Sequence, residues 1–403
     1  MVLRDGPARP RPRPGPLSAR GGELRTPAAR AWLEALGLEA RLPDTRFLED
    51  LFFTFQRRIA CETLTRPAGD AERFDPEAFA AEWPDEERGL TGEERTGAFL
   101  WLAKEVGFTC ELVQSLCSRP WVTAERDELR LSEGAGGFPS KVNGGEAHRS
   151  VVATVEGRRI LADAGFPFPV LVPLDAPAIE IPTGFGALTV ERDAGEGRRI
   201  NCDARGSVEE LLRLAPVRLS NPLPLEEICR PSPGASPTLE AGEAGARGST
   251  RSAPAPFALR VLDDRVLHWA GGVMTILDAW SVLTYPLAGT ERAAVASLFA
   301  LNLEGVDLPA AAAAEVPPLL TVFHTVPLPP EAVRRGLVLS ELPPSSLVAS
   351  REAVVEAVPG GARIALRAAL GGSVPPAGPG ESVRKTLVFH LAMDLLRLGT
   401  APG

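Results

Sequence analysis

His148-Arg149-Ser150-Val151-Val152-Ala153-Thr154-Val155-Glu156-Gly157-Arg158-Arg159-Ile160-Leu161-Ala162-Asp163 is the stretch on which the fold turns. Val151 to Val155 and Arg158 to Ala162 flank Glu156-Gly157, a two-residue turn signal, so the spacing predicts a β-hairpin. In that register His148 falls opposite Gly165, and Asp163 becomes its diagonal neighbour on the same face. A diagonal cross-strand step lets a carboxylate orient an imidazole and stabilise its charge. The pair amounts to two members of a nucleophilic triad; the alternative is two polar residues at a strand end.

Upstream of the hairpin the pattern is helical. Thr26-Pro27 suits a cap and first turn, with Trp32, Leu33, Leu36 and Leu38 as an apolar face. A second helix is predicted from Arg46 to Ile59, a short one from Asp75-Pro76 through Phe79, and a fourth within Arg88 to Phe108. From Cys110 onward short β-type runs take over, among them Gly186 to Val190, Phe257 to Leu262 and Val266 to Trp269. A helix is predicted from Thr290 to Leu301, strands at Leu320 to Val326 and Val354 to Leu370, and a closing helix from Ser382 to Leu398.

The 39 Gly and 39 Pro exceed average usage and are clustered, so the surplus marks tails and linkers. Residues 1–25 read as a disordered Arg/Pro tail, residues 26–108 as a helical bundle, and 109–230 as a β-rich domain carrying His148 and Asp163. Residues 231–256 read as a flexible insertion, 257–310 as an α/β lid, and 311–403 as a C-terminal extension without assignment.

With 43 basic and 52 acidic residues the net charge is −9, and the predicted folded parts hold no basic stripe with interleaved aromatics. Nucleic acid is therefore not the expected partner. No apolar run of membrane-spanning length follows the tail, so a soluble, cytoplasmic chain without membrane contact is expected. Five scattered cysteines, Cys61, Cys110, Cys117, Cys202 and Cys229, indicate neither a disulfide framework nor a zinc site, and no metal is expected.

Taken together, these motifs resemble those of the arylamine N-acetyltransferases, over roughly residues 26–310. Ile59-Ala60-Cys61-Glu62-Thr63-Leu64 stands where the family has Ile/Val-Pro-Phe-Glu-Asn-Leu, and Asp75-Pro76-Glu77-Ala78-Phe79 matches the short helix before the catalytic loop. His148, Val151 to Val155, Gly157 and Ala162-Asp163-Ala164-Gly165-Phe166-Pro167 match the family's His, strand, turn and Val-Asp-Val-Gly-Phe-Gly, with its spacing of fifteen from His to Asp. The resemblance implies an α+β, papain/transglutaminase-like scaffold with an N-terminal helical bundle, a β-rich middle and a small α/β lid. It also implies acetyl-CoA or another acyl thioester as co-substrate, with Glu94 and Phe166 at the substrate.

The catalytic loop departs at its decisive position. The family reads Arg-Gly-Gly-x-Cys-x-Glu; this chain reads Arg88-Gly89-Leu90-Thr91-Gly92-Glu93-Glu94, so Gly92 falls where the nucleophilic cysteine belongs. Hydrogen cannot attack a thioester, and an acyl-cysteine route is not expected. Thr91-x-x-Glu94 alternatively reads as a helix capping box. Cys61, at the family's Phe position, is the candidate for a displaced nucleophile, and the missing side chain at Gly92 suggests room for a larger substrate. His268, His324 and His390 read as packing residues.

Two functions remain from the sequence. One is direct acyl transfer from a bound thioester to an amine or hydroxyl, with His148 and Asp163 as the base. The other is a noncatalytic binding or scaffold protein that keeps the fold, with a protein partner on the C-terminal extension.

Overall fold

The structure, a computed structural model, describes residues 26–65, 74–117, 146–165, 171–176, 178–183, 186–192, 198–204, 207–214, 256–262, 265–270, 272–277, 281–287, 292–306, 308, 319–336, 348–358 and 361–370. The tail at 1–25, the insertion up to residue 255 and the helix expected from Ser382 lie outside them. Six helices and sixteen strands are found among the described residues.

The N-terminal part is helical because its apolar residues recur at helical spacing between clear start signals. In α1 (Pro27–Leu36) Thr26 accepts a hydrogen bond from the Ala29 amide, Pro27 opens the first turn, and Gly37 closes the helix at φ 78°. Asp44 caps α2 (Thr45–Arg58), and Asp75 caps α3 (Pro76–Glu86), which runs well beyond the expected Phe79. The extension places Trp83 against Trp32, whose ring also meets Phe55, Phe79 and Trp101 at centroid distances of 5.5–6.5 Å. Burying each such aromatic stabilises the fold by roughly 1.5–3 kcal/mol, enough to carry the helix through Pro84.

This aromatic core continues onto the predicted hairpin. In β3 (Glu146–Val155) and β4 (Arg158–Ala162), Val151, Ala153, Val155, Ile160 and Ala162 join the cluster built by α1, α2, α3 and α4 (Gly92–Glu105). Val151 pairs with Ala162 and Val155 with Arg158, as the sequence requires. The turn residues Glu156 and Gly157 both have positive φ, 52° and 75°, which is the demand of a type I′ turn. On the other side of β3 lies β2 (Thr109–Cys117), which puts Cys110 and Cys117 in a strand. The sheet is completed by β5 (Val172–Pro173), β6 (Ala178–Thr183), β7 (Gly186–Arg192), β8 (Arg198–Ala204) and β9 (Ser207–Leu214), in the order β5-β4-β3-β2-β9-β8-β7-β6.

A second sheet holds β1 (Cys61–Glu62), β10 (Phe257–Val261), β11 (Val266–Ala270), β12 (Val273–Leu277) and β13 (Ser281–Pro286). One face is covered by α5 (Arg292–Phe299), through Val295 and Phe299, and by α6 (Pro330–Gly336), through Val333. The sequence separates residues 257–310 from 311–403, yet β14 (Leu319–Val326), β16 (Gly361–Leu370) and β15 (Val348–Val358) continue this sheet from β13 outward. Leu320, Val322, Ile364 and Leu366 share the apolar cluster of Trp269 and Tyr285. The edge of β13 would otherwise offer unpaired amides and carbonyls, and the later strands satisfy them.

Candidate functional site

The site assembles where α4 begins. Thr91 is its N-cap, and Glu94 returns its carboxylate to the Thr91 amide at 2.9 Å and hydroxyl at 2.8 Å. Glu94 thus completes the capping box, the structural one of its two sequence readings. Just before the cap, Leu90 lies alongside β1: its amide donates to the Ala60 carbonyl at 3.0 Å, and its carbonyl accepts from the Glu62 amide at 2.9 Å. The loop matching the family's catalytic loop is therefore tied to the strand that carries Cys61.

Gly92 is the first residue of α4, and the turn after β4 presses directly on it. A Cβ on Gly92 would stand 2.9 Å from the Gly165 carbonyl oxygen, and one on Gly165 would stand 2.6 Å from the Gly92 carbonyl oxygen and collide with Thr96 Oγ1. Thr96 holds this junction, its hydroxyl in reach of the Gly92 carbonyl at 3.0 Å and the Arg149 carbonyl at 3.3 Å. The expectation that a bare Gly92 leaves room for a larger substrate is thus corrected: backbone fills the space beside it.

Asp163 is fully buried one residue beyond β4. Continuing the hairpin register sets Ser150 directly opposite, and the Ser150 hydroxyl donates to Asp163 Oδ2 at 2.9 Å. From α2, Gln56 donates its Nε2 to the Asp163 backbone carbonyl at 3.0 Å, while its Oε1 accepts a hydrogen bond from Arg95 of α4. Arg95 is wholly buried; burial pushes its guanidinium down from the ordinary range, while Cys61 and Asp163 pull it back up. Gln56, Arg95, Ser150 and Asp163 thereby form one buried polar group that links α2, α4 and the hairpin.

Cys61 lies in β1 opposite Leu259, with 4% of its surface exposed, packed among Phe257, Leu259 and Val266. Burial pushes its thiol up, and the adjacent Arg95 only partly offsets this. Next to it, burial also raises Glu62, whose carboxylate accepts hydrogen bonds from the Leu64 and Thr65 amides and the Thr65 hydroxyl. In the second sheet, buried His268 sits beside Phe257, and burial lowers its imidazole to about 4. The half-buried Cys110 thiol is pushed up to about 12 by the same cause.

The structure thus brings Gly92, Glu94, Cys61 and Asp163 around the start of α4. His148 lies on β3 two residues before Ser150 and pairs with Ser115 of β2; only this strand position is described. Phe166, Cys229 and His390 fall outside the described residues, and of Cys117, Cys202 and His324 the strand position alone is described. No group of three or more His, Cys, Asp or Glu side chains able to hold a metal occurs among the described residues. No described helix is long and apolar enough to cross a membrane.

Sequence reading missed Arg95, Gln56 and Ser150. A signal existed for the first: Arg95 precedes Phe99 by four residues and Leu102 by seven, so it shares the buried side of α4. Ser150 could have been found from the hairpin register, which makes it the direct partner of Asp163, whereas His148 is the diagonal one.

Solved structures of arylamine N-acetyltransferases share this fold. That from Nocardia farcinica matches with a TM-score of 0.52 at 19% identity, over 70% of this chain and 92% of its own. The M. smegmatis protein matches with a TM-score of 0.50 at 20% identity, over 69% and 94%. The Mycobacterium marinum protein, solved in complex with CoA, matches with a TM-score of 0.50 at 16% identity, over 69% and 94%. No family model matches the chain, and no curated protein does. The likeness establishes an α+β scaffold of the arylamine N-acetyltransferase kind, as the sequence motifs imply.

Proposed function

We propose that this chain is an arylamine N-acetyltransferase-like protein that has left the acyl-cysteine pathway and acts in the cytoplasm by binding, with an acyl thioester such as acetyl-CoA as the ligand class. The observation that carries this reading is the backbone contact between Gly92 and Gly165, which takes the space a cysteine side chain would need. Further support comes from Glu94, engaged in the helix cap, and from Cys61, buried with its thiol pushed up. The CoA named for the Mycobacterium marinum structure supports the ligand class.

A second reading is favoured by one placement, that of His148 and Asp163 a diagonal step apart at one end of the hairpin. There His148 takes the proton of an amine or hydroxyl as that group attacks the thioester carbonyl. The carbon–sulfur bond then breaks, and the thiolate leaves and collects a proton.

The deciding experiment incubates the protein with acetyl-CoA and a panel of arylamines, follows intact protein and products by mass spectrometry, and measures CoA binding by calorimetry. Binding without adduct or product is the expected result. Product without adduct establishes the second reading, and an acyl adduct on Cys61 overturns both.

A further inference from the structure

We infer that Arg260 is a latch that joins the second sheet to the helical bundle and thereby keeps the start of α4 closed. From β10 its Nε donates to the Arg57 carbonyl at 2.7 Å and its Nη1 to the Leu298 carbonyl at 2.8 Å. Arg57 stands in the last turn of α2 and Leu298 in the last turn of α5. A third helix end is tied to the same segment: the Glu87 carbonyl, just past α3, accepts from the Asn302 amide at 3.0 Å.

The physical argument starts from helix ends. Carbonyls of a last turn have no partner within their own helix, and the aligned peptide dipoles leave partial negative charge there. Two such ends brought together repel unless a cation lies between them, and a guanidinium, whose donors point in different directions, satisfies both at once. In a continuing α5 the Leu298 carbonyl would take the Asn302 amide; that amide goes to Glu87, and Arg260 stands in its place. Both α3 and α5 stop at non-glycine residues of positive φ, Glu87 at 46° and Ala300 at 52°, conformations that persist only where neighbouring contacts hold them. The link runs on to the site through β1, whose two residues pair with Leu259 and Ala258 of β10, next to Arg260. Thr63 extends this pairing, its amide donating to the Phe257 carbonyl at 3.0 Å and its hydroxyl accepting from the Phe257 amide at 3.1 Å. On its other edge β1 is bonded to Leu90, just before the cap of α4. When β10 parts from α2, β1 cannot stay paired with both β10 and Leu90, and Cys61, only 4% exposed, is uncovered. No thioester enters this linkage, so it stands or falls apart from the proposed function.

The test alkylates the native protein with N-ethylmaleimide and follows Cys61 and Cys110 separately by peptide mass mapping. Cys110, on β2 against the aromatic core, is the internal control. In Arg260→Met, Cys61 should react about tenfold faster than in the wild type or more, because two charge-assisted hydrogen bonds no longer oppose local opening, while Cys110 should change by less than about twofold. Arg260→Lys, whose single amine lacks the fork that reaches both carbonyls, should fall between the two. A role in overall stability alone would speed both thiols by one factor; that result, or an unmoved Cys61, overturns the inference. If Arg260→Met does not fold, hydrogen exchange of the wild type in dilute urea decides. The Glu62, Leu90 and Asn302 amides should then exchange through one shared opening that leaves the hairpin amides from Val151 to Val155 protected. Exchange of those three amides through unrelated openings, or only on global unfolding, overturns the latch.

Discussion

The backbones of Gly92 and Gly165 meet so closely that neither tolerates a β-carbon without displacing the other: each would come within 3 Å of the other's carbonyl oxygen. The contact joins the first turn of α4 to the end of the hairpin, and its partners are peptide groups, which give way less readily than side chains. Gly92→Ala is therefore expected to lower stability by about 1–3 kcal/mol, and Gly165→Ala by at least as much because Thr96 Oγ1 is also displaced. Urea unfolding of the two variants checks this. Gly92→Cys should be destabilised likewise and stay unacylated with acetyl-CoA; rapid adduct formation on that thiol would mean that the turn at Gly165 moves aside freely.

The capping box at Thr91 and Glu94 separates a structural glutamate from one that meets substrate. Thr91→Ala should cost about 1 kcal/mol, while Glu94→Gln, whose amide oxygen can still accept from the Thr91 amide, should cost a few tenths. Thermal melts give the first comparison, and calorimetry with CoA gives the second. A loss of CoA affinity in Glu94→Gln at unchanged stability would assign Glu94 to the ligand.

Glu156 holds a positive φ of 52° at the first position of the hairpin turn, a conformation that asparagine tolerates better than glutamate. Glu156→Asn should stabilise the protein by roughly 0.5 kcal/mol even though its bond to the Thr45 hydroxyl is lost, because that bond is exposed. Gly157→Ala, at φ 75°, should cost about 1 kcal/mol. Opposite signs for the two substitutions in chemical denaturation are the expected signature.

His268 gives a pH dependence with a definite sign. Its folded imidazole titrates at about 4 against an ordinary value of 6.5, so between these limits the unfolded chain binds the extra proton. Stability contributed by neutral His268 is complete above 6.5 and is lost as pH falls toward 4, by roughly 3 kcal/mol in all. His268→Leu should flatten the stability profile across that window. A profile as steep as the wild type's would place the acid sensitivity elsewhere.

Local signals were legible in the sequence. The caps at Thr26, Asp75 and Thr91, the turn at Glu156-Gly157 and the register between Val151 and Ala162 all depend on residues close in the chain. They set the helices, the hairpin and, through their combination, the scaffold. Helix α3 outran its predicted end because Trp83 packs on Trp32, a contact that spans the bundle.

What the tertiary structure alone decided was what lies beside each chemically interesting residue. A glycine at position 92 announces a missing side chain, but only the fold shows the Gly165 carbonyl standing in its place. Asp163 announces a carboxylate near His148, but only the fold brings Gln56 of α2 to its backbone carbonyl and Arg95 of α4 to Gln56, across separations of 107 and 39 residues. The same holds for the strands after residue 318, whose alternation predicts a sheet but not that β13 is the edge they join. The physical reason is common to all three: periodicity and capping are short-range properties of the chain, whereas close backbone approach, buried hydrogen bonding and edge pairing depend on which distant segments the folded core forces together.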